Sequence, residues 1–158
     1  MPGWAGEGAT LTVDGEVRPV RPGYAVERRT WRGGDEVVLD LPMAPRFSYP
    51  DDRIDATRGC VAVERGPLVF AVESVDLAGG GNVDELRVDT GRPPTLAGGR
   101  VQVHCRRLDP PDRDWPYDGQ GPTPAAVPSG DLVEVPLIPY HAWANRGPST
   151  MRVWLPTI

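Results

Sequence analysis

Apolar and polar residues alternate with period two along almost the whole chain, the pattern of half-buried β-strands. In ATLTVDGE (9–16), Leu11 and Val13 take one face and the run meets Asp14-Gly15, a two-residue hairpin signal. YAVERRTW (24–31) is predicted as the next strand, closed by Gly33-Gly34, and EVVLDLP (36–42) sets Val37, Leu39 and Leu41 on one face. Together these segments predict a meander of antiparallel strands. PRFSYP (45–50) is hemmed by prolines and belongs at a sheet edge, because proline cannot donate to the ladder. CVAVERGPLVFAVES (60–74) holds two alternating stretches joined at Arg65-Gly66-Pro67, predicted as a bulge or bend where one strand turns the corner between two sheets. LRVD (86–89), RVQVHCRRL (100–108), DLVEVPLIP (131–139) and TMRVWL (150–155) complete a set of nine or ten strands.

Two connections are long and rich in proline and glycine. Residues 76–99 hold three consecutive glycines and one weak strand, and residues 109–130 hold six prolines and three glycines with no apolar period. A loop of that length inside a compact domain is functional, disordered or packed against something outside the chain. Trp115 and Tyr117 favour packing, since disordered segments are poor in aromatics. Many short strands with regular turn signals and no helical stripe predict an all-β fold, an antiparallel β-sandwich or jelly roll with two long loops, as a single domain over 1–158.

Composition narrows the function classes. With 19 Gly and 19 Pro among 158 residues, long helices are excluded. A net charge of −5 gives no general attraction to phosphate backbones or anionic lipid, so neither nucleic acid nor membrane is an expected partner. All 17 basic residues are arginine, a compositional bias rather than a set of recognition sites. The amino-terminal residues lack a basic and an apolar signal region, and nowhere do 18 apolar residues run together. This leaves the compartment open.

Candidate chemistry is sparse. Val61 and Val63 take the buried face of one strand and leave Cys60 on the other, while Cys105 shares its face with Val101 and Val103, so two unpaired thiols are expected. Cys60, His104, Cys105 and His141 lack zinc-ligand spacing, and His104 and Cys105 are strand neighbours that face opposite ways. No Gly-x-Ser-x-Gly elbow and no phosphate loop occurs. Carboxylates such as Glu27, Asp40, Glu64 and Glu73 on strands read as solvated surface charge, since among 22 acidic residues some pair always falls at a workable separation for glycoside hydrolysis. Five tryptophans, Trp4, Trp31, Trp115, Trp143 and Trp154, offer either core and contact residues or platforms for sugar stacking.

Four segments, PGWAGEGATLTVDGE, GYAVERRTWRGGDEVVLDLPM, DATRGCVAVERGPLVFAVES and LIPYHAWANRGPSTMRVWLP, resemble in that order the carboxyl-terminal portion of glycoside hydrolase family 127, typified by bacterial β-L-arabinofuranosidases. RGPLVF and YHAWANRGPSTMRVW are its most specific stretches. The resemblance implies a parent with an (α/α)6-barrel catalytic domain followed by β-sandwich domains, of which this chain is the β-sandwich end, starting at the tail of a strand. It places the cysteine nucleophile, the acid/base glutamate and the zinc ligands in the barrel, so no catalytic residue, no metal ligand and no cofactor is expected in this chain.

On that reading the chain is a non-catalytic accessory domain. Its partner is the upstream barrel, with a homodimer contact as a further option. Trp115, Tyr117, Tyr140, His141 and Trp143 are the candidate docking aromatics and histidine. Asn145 and Arg146 fix the turn before the last strand, Arg146 by donating to backbone carbonyls. The alternative is a stand-alone carbohydrate-binding module that holds glycan through the same aromatics.

Overall fold

The computed structural model describes residues 1–108 and 129–158. Trp115 and Tyr117, with nearly all of the second long loop, lie outside the described residues. Where the sequence pattern drew one domain over 1–158, the chain divides into two compact units, Met1–Ala44 and Pro45–Ile158. Among the described residues all strand pairing is antiparallel, apart from one isolated parallel bridge. The fold class is all-β.

The first unit is a three-stranded sheet of β1 (Thr10–Val13), β2 (Glu16–Pro19) and β3 (Val37–Asp40), in the order β2-β1-β3. Asp14 and Gly15 turn β1 into β2 with φ of 47° and 84°, the two positive values that a type I′ hairpin needs. The register sets Leu11 opposite Leu39 and Val13 opposite Val37 on one face, and Thr12 between Val17 and Val38 on the other.

The predicted strand over 24–31 does not form. Tyr24 is fully exposed and Val26 two-thirds exposed, so the alternation there has no neighbouring surface to bury against. Instead Arg29 ties the segment down, its guanidinium 2.5 Å from the Asp14 carboxylate and 5.2 Å from the centre of the Trp31 ring.

The second unit holds β4 (Pro45–Ser48), β5 (Cys60–Arg65), β6 (Leu68–Glu73), β7 (Leu86–Val88), β8 (Thr95–Ala97), β9 (Arg100–Arg107), β10 (Ser129–Pro139), β11 (Met151–Arg152) and β12 (Leu155–Pro156). They form one sheet with the spine β12-β5-β6-β10-β9-β7. Its two ends meet: Val88 of β7 bridges Thr157, and the Ile158 N–H donates to the Val88 carbonyl at 3.0 Å. The sheet therefore curls on itself, and its inner face encloses Val61, Val63, Phe70, Val72, Leu86, Val88, Val101, Val103, Cys105, Val135, Leu137 and Leu155. As predicted, β4 is an edge strand, paired among the described residues to β5 alone.

Three local expectations are corrected. Arg65 pairs with Leu68, so Gly66-Pro67 is a two-residue hairpin loop rather than a corner between sheets. Glycine at the first central position with φ of 57°, followed by proline, suits the type II′ turn that matches strand twist. The predicted strand 150–155 bends at Val153-Trp154, so β11 pairs with β6 while β12 crosses to β5. The 76–99 connection contains a three-residue 3₁₀ turn at Val83–Glu85, β7 and β8 rather than one weak strand.

Both cysteines are free, Cys60 half-buried and Cys105 wholly buried in the core. Burial pushes the Cys105 thiol up to about 12. With Ellman's reagent at pH 8, Cys60 is therefore expected to react in the folded chain and Cys105 only after denaturation. Because Cys105 holds its proton more tightly when folded, its contribution to stability falls as the pH climbs from 9 toward 12.

Candidate functional site: a clasped turn beside a cleft

Strand β6 sends Phe70 and Val72 to the core, so Ala71 and Glu73 occupy its other face. Both are nonetheless fully buried. The segment from Tyr140 to Thr150 covers them. It leaves β10 through a 3₁₀ turn at Tyr140–Ala142 and returns to pair β11 with the end of β6, Met151 opposite Glu73. Ser74 and Thr150 lock the return, the Ser74 N–H donating to the Thr150 carbonyl at 2.9 Å and the Thr150 N–H to the Ser74 hydroxyl at 3.0 Å.

Glu73 is the centre of this arrangement. Its Oε1 accepts from the Ser149 hydroxyl at 2.5 Å and from the Ala144 N–H at 3.1 Å, while Oε2 accepts from Arg146 Nη2. Arg146 also grips Asp76, Nη1 to Oδ1 at 2.8 Å and Nη2 to Oδ2 at 2.5 Å. Arg100 Nη1 stands 3.7 Å from Asp76 Oδ1. Ala144 adopts a φ of 61°, unusual for a residue with a Cβ, and its N–H is committed to Glu73.

A buried carboxylate would ordinarily rise in pKa. Here the Ser149 hydroxyl and the Arg146 guanidinium stabilise the anion more than burial destabilises it, and the Glu73 carboxyl is held below its usual value of 4.5. Asp76 first, then Glu73, hold Arg146 still further above its ordinary range.

Arg146 donates to two carboxylates rather than to the backbone carbonyls expected from the sequence. The reason is electrostatic, since a planar guanidinium gains more from a bidentate anion than from neutral acceptors. The sequence reading missed Glu73, Asp76 and Ser149 and counted Glu73 as solvated charge. Its parity with the small Ala71, on the face away from Phe70 and Val72, was the available signal, but the covering segment lies some seventy residues away in sequence.

The turn displays the other residues singled out in the sequence. Tyr140 is 50% exposed, Trp143 is 40% exposed, and His141 and Asn145 are also on the surface. Asn145 and Arg146 border a cleft of about 360 Å³, whose floor is Leu68, Phe70, Leu137 and Ile138, and whose rim adds Leu96, Arg65 and Arg100.

Both carboxylates of the clasp, the buried Glu73 and the half-buried Asp76, are engaged by Arg146. Among the described residues there is no group of three His, Cys, Asp or Glu side chains placed to hold a metal ion.

Comparison with known proteins agrees with this architecture. Residues 45–156 match the glycoside hydrolase family 127 C-terminal domain, and residues 1–43 match the GH127 middle domain of β-L-arabinofuranosidase. The boundary between the two matches coincides with the division between the two units. A non-reducing end β-L-arabinofuranosidase of Bifidobacterium longum subsp. longum is 31% identical over 98% of this chain and 25% of its own length.

Among solved structures, a GH127 β-L-arabinofuranosidase from Geobacillus stearothermophilus T6 is similar with a TM-score of 0.77 and 31% identity, covering 100% of this chain and 26% of that one. A GH127 β-arabinofuranosidase has a TM-score of 0.69 and 29% identity, covering 96% and 23%. The chain thus spans about a quarter of the length of these relatives. With both of its units matched in order by domains of one enzyme family, the chain belongs to glycoside hydrolase family 127.

Proposed function

We propose that this chain is a non-catalytic accessory portion of a β-L-arabinofuranosidase-like glycoside hydrolase that packs on the catalytic domain of its parent. The observation that carries the reading is the sheet of the first unit. Val17 and Val38 stand 62% and 45% exposed on one face, and Val37 and Leu39 stand 50% and 41% exposed on the other. Uncovered aliphatics on both faces of a short sheet are costly in water and mark a surface made to be covered. The exposed Tyr140 and Trp143 on the clasped turn of the second unit add a candidate docking element. The commitment of Glu73 and Asp76 to Arg146 supports the non-catalytic half of the proposal.

The test is the binding of anilinonaphthalene sulfonate to residues 1–158 and to the longer parent polypeptide. The isolated chain is expected to enhance the dye's fluorescence, Val38→Glu to reduce that enhancement, and the parent to show little. No enhancement by the isolated chain, or an equal one by the parent, would overturn the packing role.

A further inference from the structure

We propose that the cleft beside Arg146 is a binding site for a hexuronate-type sugar, a single pyranose ring carrying a carboxylate. At about 360 Å³ it lies at the small end of ligand pockets, with room for one ring rather than a chain. Its lining is mixed in chemistry. Leu96, 48% exposed on β8, and the half-buried Ile138 of β10 contribute aliphatic surface for the C–H face of a ring. Arg100 and Asn145 add a guanidinium for a carboxylate and an amide for hydroxyls.

Arg100 is the residue that makes the site receptive. Its side chain is 59% exposed, and its ion-pair partner Asp76, at 3.7 Å, is already gripped bidentately by Arg146. An incoming carboxylate therefore meets a guanidinium that has no close bidentate partner of its own among the described residues. Arg146 spends Nη1 and Nη2 on Glu73 and Asp76, which holds the rim in place before any ligand arrives. An inorganic anion would leave the aliphatic lining unused. A neutral sugar held by stacking would want an exposed ring, and the Phe70 of the floor is 5% exposed.

This inference does not depend on the accessory role, and its test reads binding rather than docking or hydrolysis. Residues 1–158 labelled with nitrogen-15 would be titrated separately with D-galacturonate, with D-galactose and with acetate. Galacturonate is expected to give saturable amide shifts at Leu96, Gly99, Arg100, Ala142 and Asn145, with galactose and acetate at least about tenfold weaker. Arg100→Ala should abolish saturation and Arg100→Lys weaken it, both with an unchanged melting temperature. An equal response to galactose or to acetate, no saturable response to galacturonate, or unaltered binding by Arg100→Ala would overturn the proposal.

Discussion

Replacing Arg146 with methionine is expected to lower the melting temperature of the second unit by on the order of 10 °C. The loss does not come from an exposed ion pair, which would contribute little. It comes from leaving the Glu73 carboxylate in a fully covered position with only Ser149 and the Ala144 N–H to stabilise it. Adding Glu73→Gln to Arg146→Met should therefore restore much of the loss, because the second change removes the stranded charge. Calorimetry of the wild type, both single variants and the double variant checks this, and equal, additive losses would contradict it.

The same clasp fixes an acid dependence. Because the folded chain holds the Glu73 carboxyl below 4.5, it binds that proton less tightly than the unfolded chain does. The stability this supplies is complete above pH 4.5 and is lost as the pH falls through the folded value. In Arg146→Met the loss should begin at higher pH, readable as an upward move of the acid-unfolding midpoint.

Leu155→Ala should be the second large effect, costing about 2–5 kcal/mol in chemical denaturation. Leu155 is 1% exposed in a strand of two residues, opposite Val61, where the curled sheet comes round to meet β7. A cavity there cannot be filled from a neighbouring strand without loosening the closure. Val69→Ala, on an outward position that is 37% exposed, serves as the control and should cost less than about 1 kcal/mol.

What could be read in the sequence was whatever period-two alternation alone decides. The core positions Val61, Val63, Val101, Val103 and Cys105, the free thiols, the edge strand with its prolines and the Asp14-Gly15 hairpin were all legible, since each depends on local pattern and turn chemistry. Residues 24–31 were not, because their alternation is as good as that of β9 and only the absence of a neighbouring surface decides against a strand.

The Gly66-Pro67 hairpin did leave a trace. The residues of the core cluster are odd-numbered before it, Val61 and Val63, and even-numbered after it, Phe70 and Val72. That change of parity is what a two-residue loop produces when it pairs Val63 with Phe70 on one face. The clasp was legible only at Arg146, where the residue was identified but its partners were not. Glu73 becomes a buried anion through a segment that returns across seventy residues, and a single sequence carries no local mark of that return.

The accessory reading is tested most directly by incubating residues 1–158, purified free of any longer polypeptide, with p-nitrophenyl β-L-arabinofuranoside and following release of p-nitrophenol. The account predicts release at the rate of the uncatalysed blank. Saturable turnover by this chain alone, lost on unfolding it, would contradict the account.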